Sequence, residues 1–220
     1  MSADDPEAAD EVLGLARLLR LASPALPIGA FAWSGGLEGA IDQGVVVDAA
    51  TAEQWIRDLV ALGHARWDGP ILWAMMVTPD RRPALDALYL ASRETAELRA
   101  ETLQVGLALA RVVGDGLSPA RSPTLPCAWA MAAEAWGIAP RAALLGWLVA
   151  LVDNQITVLQ KALPLGQVAA QRIYQALLPV VGRAHAAAMT LPEARWSSGL
   201  PALAVMSARH ETQYSRLFRS

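Results

Sequence analysis

At 220 residues, 54% of them hydrophobic, the chain is long enough for one sizeable domain and too apolar for general disorder. Its net charge of −3 at pH 7 leaves no basic footprint for nucleic acid. The single cysteine, Cys127, excludes an intrachain disulfide and a thiolate metal cluster.

The mean hydropathy of +0.30 raises the question of a membrane. The longest strongly apolar run, residues 142–152, falls short of the ~20 residues that a spanning helix needs. The start, MSADDPE, is acidic, the opposite of a secretory leader's basic opening. The expectation is a soluble cytoplasmic protein with no membrane partner.

Apolar residues recur at helical spacing almost throughout, and strand-like alternation is nearly absent. Val12, Leu15, Ala16 and Leu19 mark one face of a first helix that Ser23-Pro24 ends. The stretch PALPIGAFAWSGG, residues 24–36, has too many prolines and glycines for a regular helix, and Phe31 and Trp33 give it apolar bulk. A short helix from Leu37 stops at Gly44. Asp48 or Thr51 can cap the next, with Thr51 and Gln54 spaced as a capping box, and that helix runs to about Trp67.

Asp68-Gly69-Pro70 is read as punctuation before a helix holding Ile71, Leu72, Met75 and Met76. Residues 79–83 form a turn. From Ala84 to Val113 the pattern is helical, with a break near Ser92, and residues 114–126 form a loop rich in Gly, Ser and Pro. Helices follow over about 127–136, 140–163 and 166–190, with Pro140 suited to a first turn and Pro164-Leu165-Gly166 a sharp corner. Residues 191–201 form a further loop. The expected fold is all-α, a single compact domain of roughly eight to ten helices over residues 1–206, followed by a C-terminal partner-binding tail over 207–220.

Catalytic arrangements are hard to find. The chain has no G-x-x-x-x-G-K-[ST] phosphate loop and no G-x-S-x-G elbow. His64, His185 and His210 lie far apart, without the i, i+4 pairing that puts two imidazoles on one metal. His210-Glu211 opens like H-E-x-x-H, but Tyr214 stands where the second histidine belongs. No resident metal or cofactor is implied. A helical enzyme or small-ligand binder using the Phe31/Trp33 loop as a lid needs convergent titratable groups, which the spacing does not offer. A membrane-surface helix calls for a lysine-rich face, and Lys161 is the chain's one lysine.

Residues 207–220, SARHETQYSRLFRS, differ in composition from the rest of the chain. Read as a helix, they place His210, Tyr214, Leu217 and Phe218 on one face beside Arg216 and Arg219, an amphipathic element suited to a partner's groove. On that reading their removal leaves the domain's melting temperature nearly unchanged. The charged run SRETAELR, residues 92–99, reads as a solvated helical face, with Arg93 and Glu97 spaced to pair and Glu97 and Glu101 to repel. In the third polar stretch, residues 154–167, Lys161 suits a helix C-terminus.

These stretches carry a resemblance. The tail is similar to the end of the urease accessory protein UreF family. The run at Arg93, Glu94 and Glu97 resembles that family's R-E-T-x-E-L-R, and Asn154 to Gln167 its N-x-x-x-x-x-[KR]-L-x-P-x-G-Q. Residues 18–29, with Pro27 and Gly29, resemble its L-x-L-A-S-x-x-L-P-V-G, and Gly36-Leu37-Glu38 its G-L-E. Ala30, Ala32 and Gly35 depart from the usual pattern, which puts side-chain hydrogen bonds from that loop in question.

The resemblance implies a helical, dimer-forming protein that catalyses nothing. It implies binding to UreD (UreH in some organisms), recruitment of the GTPase UreG, and action of the assembly on apo-urease subunits in nickel insertion. By the same analogy Arg209, His210, Glu211, Gln213, Tyr214, Arg216, Leu217, Phe218 and Arg219 contact UreD. Lys161, Pro164, Gly166 and Gln167 lie on the face towards UreG.

Overall fold

The computed structural model describes residues 6–114 and 122–220. Residues 1–5 of the acidic start and residues 115–121 of the predicted loop lie outside them. The described residues form α-helices and no strand. The helices are α1 Pro6–Leu21, α2 Leu37–Asp42, α3 Ala49–Asp58, α4 Gly69–Val77, α5 Arg82–Ala91, α6 Ala96–Val113, α7 Leu125–Ala135, α8 Pro140–Ala162, α9 Gln167–Thr190 and α10 Pro201–His210.

Helix α8 is the axis of the core. Its length and composition alone would let it cross a membrane, although its central apolar run looked too short. Here Leu144, Trp147, Leu148, Val152, Val158 and Leu159 are buried by neighbouring helices, among them α4, α7 and α9. The Trp129 and Trp147 rings meet edge to face at 5.4 Å, and the Trp129 indole N–H donates to the Ala143 carbonyl at 3.1 Å.

Local chemistry sets the boundaries. Asp48 caps α3: its carboxylate accepts from the Thr51 N–H at 2.9 Å, and the Thr51 hydroxyl accepts from the Asp48 N–H at 3.1 Å. The capping box is therefore Asp48–Thr51, three residues earlier than Thr51–Gln54, because the aspartate is already extended and the threonine reaches back. Thr95 caps α6 through the Leu98 N–H at 3.2 Å, which explains the break after Ser92.

Two expectations fail for identifiable reasons. Asp68-Gly69-Pro70 does not interrupt the chain: a π-helical segment, Leu59–Asp68, runs directly into α4. Pro70 falls in the first turn of α4 and cannot donate to the Arg66 carbonyl one turn back, which accepts from the Ser197 N–H at 3.0 Å instead. The predicted face of α1 is also the outer one, with Val12 68%, Leu15 55% and Leu19 65% exposed. The stripe is real, but the side that packs is the one carrying Leu18 and Leu21, so periodicity marks the apolar face without deciding which side the neighbours cover. Packing on α8 buries Leu21 and partly buries Leu18.

Helix α10 crosses α2 closely, in a region read from sequence as loop and tail. A side chain at Gly39 would place its Cβ 2.5 Å from the Met206 carbonyl oxygen, so the crossing requires glycine there.

Candidate functional site

The motif stretches that are scattered in sequence meet at one place, where the last residues fold back onto the domain. Helix α10 ends at His210, and residues 211–220 continue as turns and irregular chain, not as the predicted amphipathic helix. The reason is competition for backbone hydrogens. Glu38, buried on α2, accepts from the Leu217 N–H at 2.6 Å and the Phe218 N–H at 2.8 Å, two donors that a helix would have used internally. Gly36, at φ +82°, supplies the left-handed turn that starts α2 and sets Glu38 in place beside Leu37.

His210 is fully buried between two acids. Its Nδ1 lies 2.7 Å from Glu97 Oε2 and its Nε2 3.1 Å from Glu38 Oε2. Arg216 donates to the other Glu97 oxygen at 2.8 Å. Thr95 and Ser207 hydroxyls lie 2.8 Å apart, and Glu211 accepts from the Ala96 N–H at the start of α6, also at 2.8 Å. The charged run 92–99 is thus a receptacle for the tail. Glu97 serves His210 and Arg216 instead of Arg93. Glu94 and Arg99 remain exposed.

The chain's end goes deeper. Phe218 is 5% exposed, with Lys161 Nζ 5.5 Å above its ring, and the Arg219 guanidinium lies 5.3 Å from the Trp33 ring centre. The Ser220 carbonyl accepts from the Ser34 N–H at 3.0 Å and from the Ser34 hydroxyl. The Ser220 hydroxyl accepts from the Gly35 N–H at 3.1 Å. Arg219 N–H donates to the Ala32 carbonyl at 2.9 Å. The unusual residues Ala32 and Gly35 therefore meet the tail through backbone groups, and Gly35 does so in a left-handed conformation, φ +58°, that favours glycine. Asn154 and Gln155 hold the loop from below, donating to the Trp33 carbonyl at 3.1 Å and the Ser34 carbonyl at 2.9 Å.

Behind this junction lies a cavity of about 100 Å³ whose lining includes Gly35, His64, Asp68, Arg93, Glu101 and Asn154. His64 Nδ1 sits 2.5 Å from Asp68, and Arg93 lies 3.5 Å from the same acid and over the Tyr89 ring. Burial would raise the Asp68 carboxyl, but Arg93 and His64 outweigh it and bring it down to about 2. Burial wins at Glu101, whose carboxyl is pushed up to about 7 although Ser220 and Arg93 favour its ionised form. A neighbouring recess under Phe31, about 60 Å³, includes Trp129 and Trp147 in its lining. Both are far below the roughly 300 Å³ of an ordinary small-molecule site. Trp33 is buried and tied to Asn154, so it is part of the frame rather than a lid. Among the described residues, no group of three or more His, Cys, Asp or Glu side chains is placed to hold a metal ion.

Of the sequence-derived positions, Glu38, Glu97, Asn154, Lys161 and most of the tail converge here. Pro27 and Gly29 stay on the exposed part of the first loop, and Pro164, Gly166 and Gln167 form an exposed corner beyond Lys161. Ser34, Thr95, Gln155 and Ser207 carry no site signal in the sequence, and Glu101 carries only its like-charge spacing to Glu97. They are ordinary polar residues, and only the returning tail reveals their role.

A UreF family model matches residues 46–178. Proteins named urease accessory protein UreF align along nearly the whole chain. The one from Dechloromonas aromatica is 44% identical over 94% of this chain and 98% of its own. That from Azotobacter vinelandii is 45% identical over 94% and 99%, and that from an Azoarcus species 44% over 95% and 97%. The family match ends before the tail, but the pairwise similarity spans almost the full length. The chain belongs to the urease accessory protein UreF family.

Proposed function

We propose that this protein is a non-catalytic adaptor of urease maturation in the cytoplasm. It binds UreD/UreH through the docked tail, recruits the GTPase UreG, and supports GTP-dependent nickel insertion into apo-urease, acting as a homodimer. Nickel is the cargo of the assembly, and no resident cofactor is required. The observation that carries this reading is the division of labour along the tail. His210, Phe218 and Ser220 are buried as anchors, while Tyr214 is fully exposed and Leu217 is 69% exposed. An aromatic and a leucine held out on a pinned segment, flanked by Arg209, Arg216 and Arg219, offer a preorganised contact whose ordering cost is already met. Glu211 and Gln213 hold the turn that presents them, with Gln213 Nε2 donating to the Ser215 carbonyl at 2.7 Å. The corner at Pro164, Gly166 and Gln167, next to Lys161, is the surface offered to UreG.

A pull-down with UreD/UreH, UreG and apo-urease tests the reading. The double variant Tyr214→Ala/Leu217→Ala is expected to keep its helicity and its stability within about 0.5 kcal/mol. It is expected to lose affinity for UreD/UreH by roughly 30-fold or more, the scale of a removed interface anchor. Capture of UreD/UreH at the unmodified level would sink the proposal.

A further inference from the structure

We propose that His210 is a doubly protonated imidazolium clasped between Glu38 and Glu97, so that seating of residues 210–220 on the domain takes up a proton. The hydrogen-bond geometry carries the assignment. The ring is fully buried, and each of its nitrogens faces a carboxylate oxygen. Nδ1 lies 2.7 Å from Glu97 Oε2, and Nε2 lies 3.1 Å from Glu38 Oε2. A neutral imidazole has one N–H and one lone pair. In either tautomer one nitrogen would turn its lone pair on a carboxylate oxygen at hydrogen-bonding distance, in a place closed to solvent. The imidazolium donates to both acids.

The extra proton belongs to neither acid. Glu38 Oε1 accepts from the Leu217 N–H at 2.6 Å and Oε2 from the Phe218 N–H at 2.8 Å, and backbone donors of this kind favour a carboxylate over the neutral acid. Glu97 Oε1 accepts from Arg216 at 2.8 Å, and a guanidinium so close favours the ionised form. Two carboxylates, one guanidinium and one imidazolium bring the cluster to zero charge. A neutral His210 would leave an uncompensated negative charge around a buried ring.

The other groups about the ring have partners of their own. On α10 Arg209 donates to Gln43 at 2.6 Å, and the Ser207 hydroxyl pairs with that of Thr95. Glu211 accepts from the Ala96 N–H. On α2 Gly39 packs against the His210 Cβ and brings no charge. On α6 Glu101, one turn beyond Glu97, accepts from the Ser220 hydroxyl at 3.2 Å. Gln213 of the tail is uncharged, and Lys161 of α8 stands over the Phe218 ring. Among the described residues, Arg216 is the one other cation bonded to either acid.

An imidazole in water gives up its second proton at about pH 6.5. Above that pH the seated chain binds one proton more than the lifted one, so seating weakens as pH rises. Well below it both states hold the proton, and this group makes seating indifferent to pH.

Nitrogen-15 spectra of the full chain, labelled at histidine, read the assignment directly. At pH 7.5 both ring nitrogens of His210 are expected to carry a hydrogen, the ring being identified by its contacts with Gly39. One bare ring nitrogen overturns the proposal, whichever tautomer it shows. The consequence is read by amide exchange at Leu217 and Phe218, each rate being divided by its intrinsic rate. The protection of the unmodified chain relative to that of His210→Gln is expected to fall about fivefold from pH 6.5 to pH 7.5. The ratio removes titrations that both chains share, such as that of Glu101. A ratio that stays constant with pH overturns the proposal. Should His210→Gln fail to fold, the ring spectrum of the unmodified chain decides alone. The inference concerns the chain by itself, so it and the docking of UreD/UreH fail separately.

Discussion

Glu38→Ala is expected to destabilise the domain by about 3–5 kcal/mol, the cost of stripping the partner from buried charged and polar groups. At this chain length that corresponds to a drop in melting temperature of roughly 6–20 °C, read by calorimetry or helical circular dichroism. The size comes from what one carboxylate holds: the backbone N–H groups of Leu217 and Phe218 and the Nε2 of a fully buried His210. Its removal orphans donors contributed by the helix end and by the tail, and Glu97 is left as the histidine's remaining acid. Glu38→Gln retains an acceptor oxygen but turns an N–H₂ towards donors, so it is expected to recover only part of the loss. A melting temperature unchanged in Glu38→Ala would show that the tail is not seated on α2.

Phe218→Ala is expected to cost about 3 kcal/mol, the low end of the range for a truncated core aromatic, since the ring lies near the surface under Lys161. Phe218 is 5% exposed and joins the same core as Leu37 and Met206. The loss differs in kind from that at Glu38, because every hydrogen-bond donor keeps its partner. Tail amides are expected to exchange faster while α10 stays formed. The same burial reverses the sequence-based expectation for deleting residues 207–220. Ser207, His210 and Ser220 are also buried, so the truncated chain is expected to melt at a lower temperature instead of being indifferent.

The sequence made the helices legible where one signal acted alone. Pro140 opens α8, and the Ser92 break separates α5 from α6, at the predicted places. It misled where a signal had competing uses. Asp68-Gly69-Pro70 carries turn residues, yet proline in a first turn is compatible with a continuing helix, and the π-helical segment absorbs the change. The apolar stripe of α1 is real but faces outward, since packing against α8 decides the side.

For the site, the sequence identified the pieces but not their union. Glu38, Glu97 and His210 were each singled out separately. Their contacts span separations of 113 and 172 residues, beyond any local pattern. The tail's helical periodicity was genuine in register and absent in structure, because Glu38 takes the backbone hydrogens that a helix needs. Glu101 carries only its like-charge spacing to Glu97 in the sequence, and its raised proton affinity comes from burial, which arises only on folding.

The claim that these stretches form one site is tested most directly by long-range nuclear Overhauser contacts in the isolated chain. Phe218 is one of only two phenylalanines, so its ring resonances can be assigned by labelling that residue type. The account predicts contacts from the Phe218 ring to the Lys161 side chain, together with protected Leu217 and Phe218 amides. Random-coil shifts across residues 211–220, with no contact between Phe218 and Lys161, would contradict it.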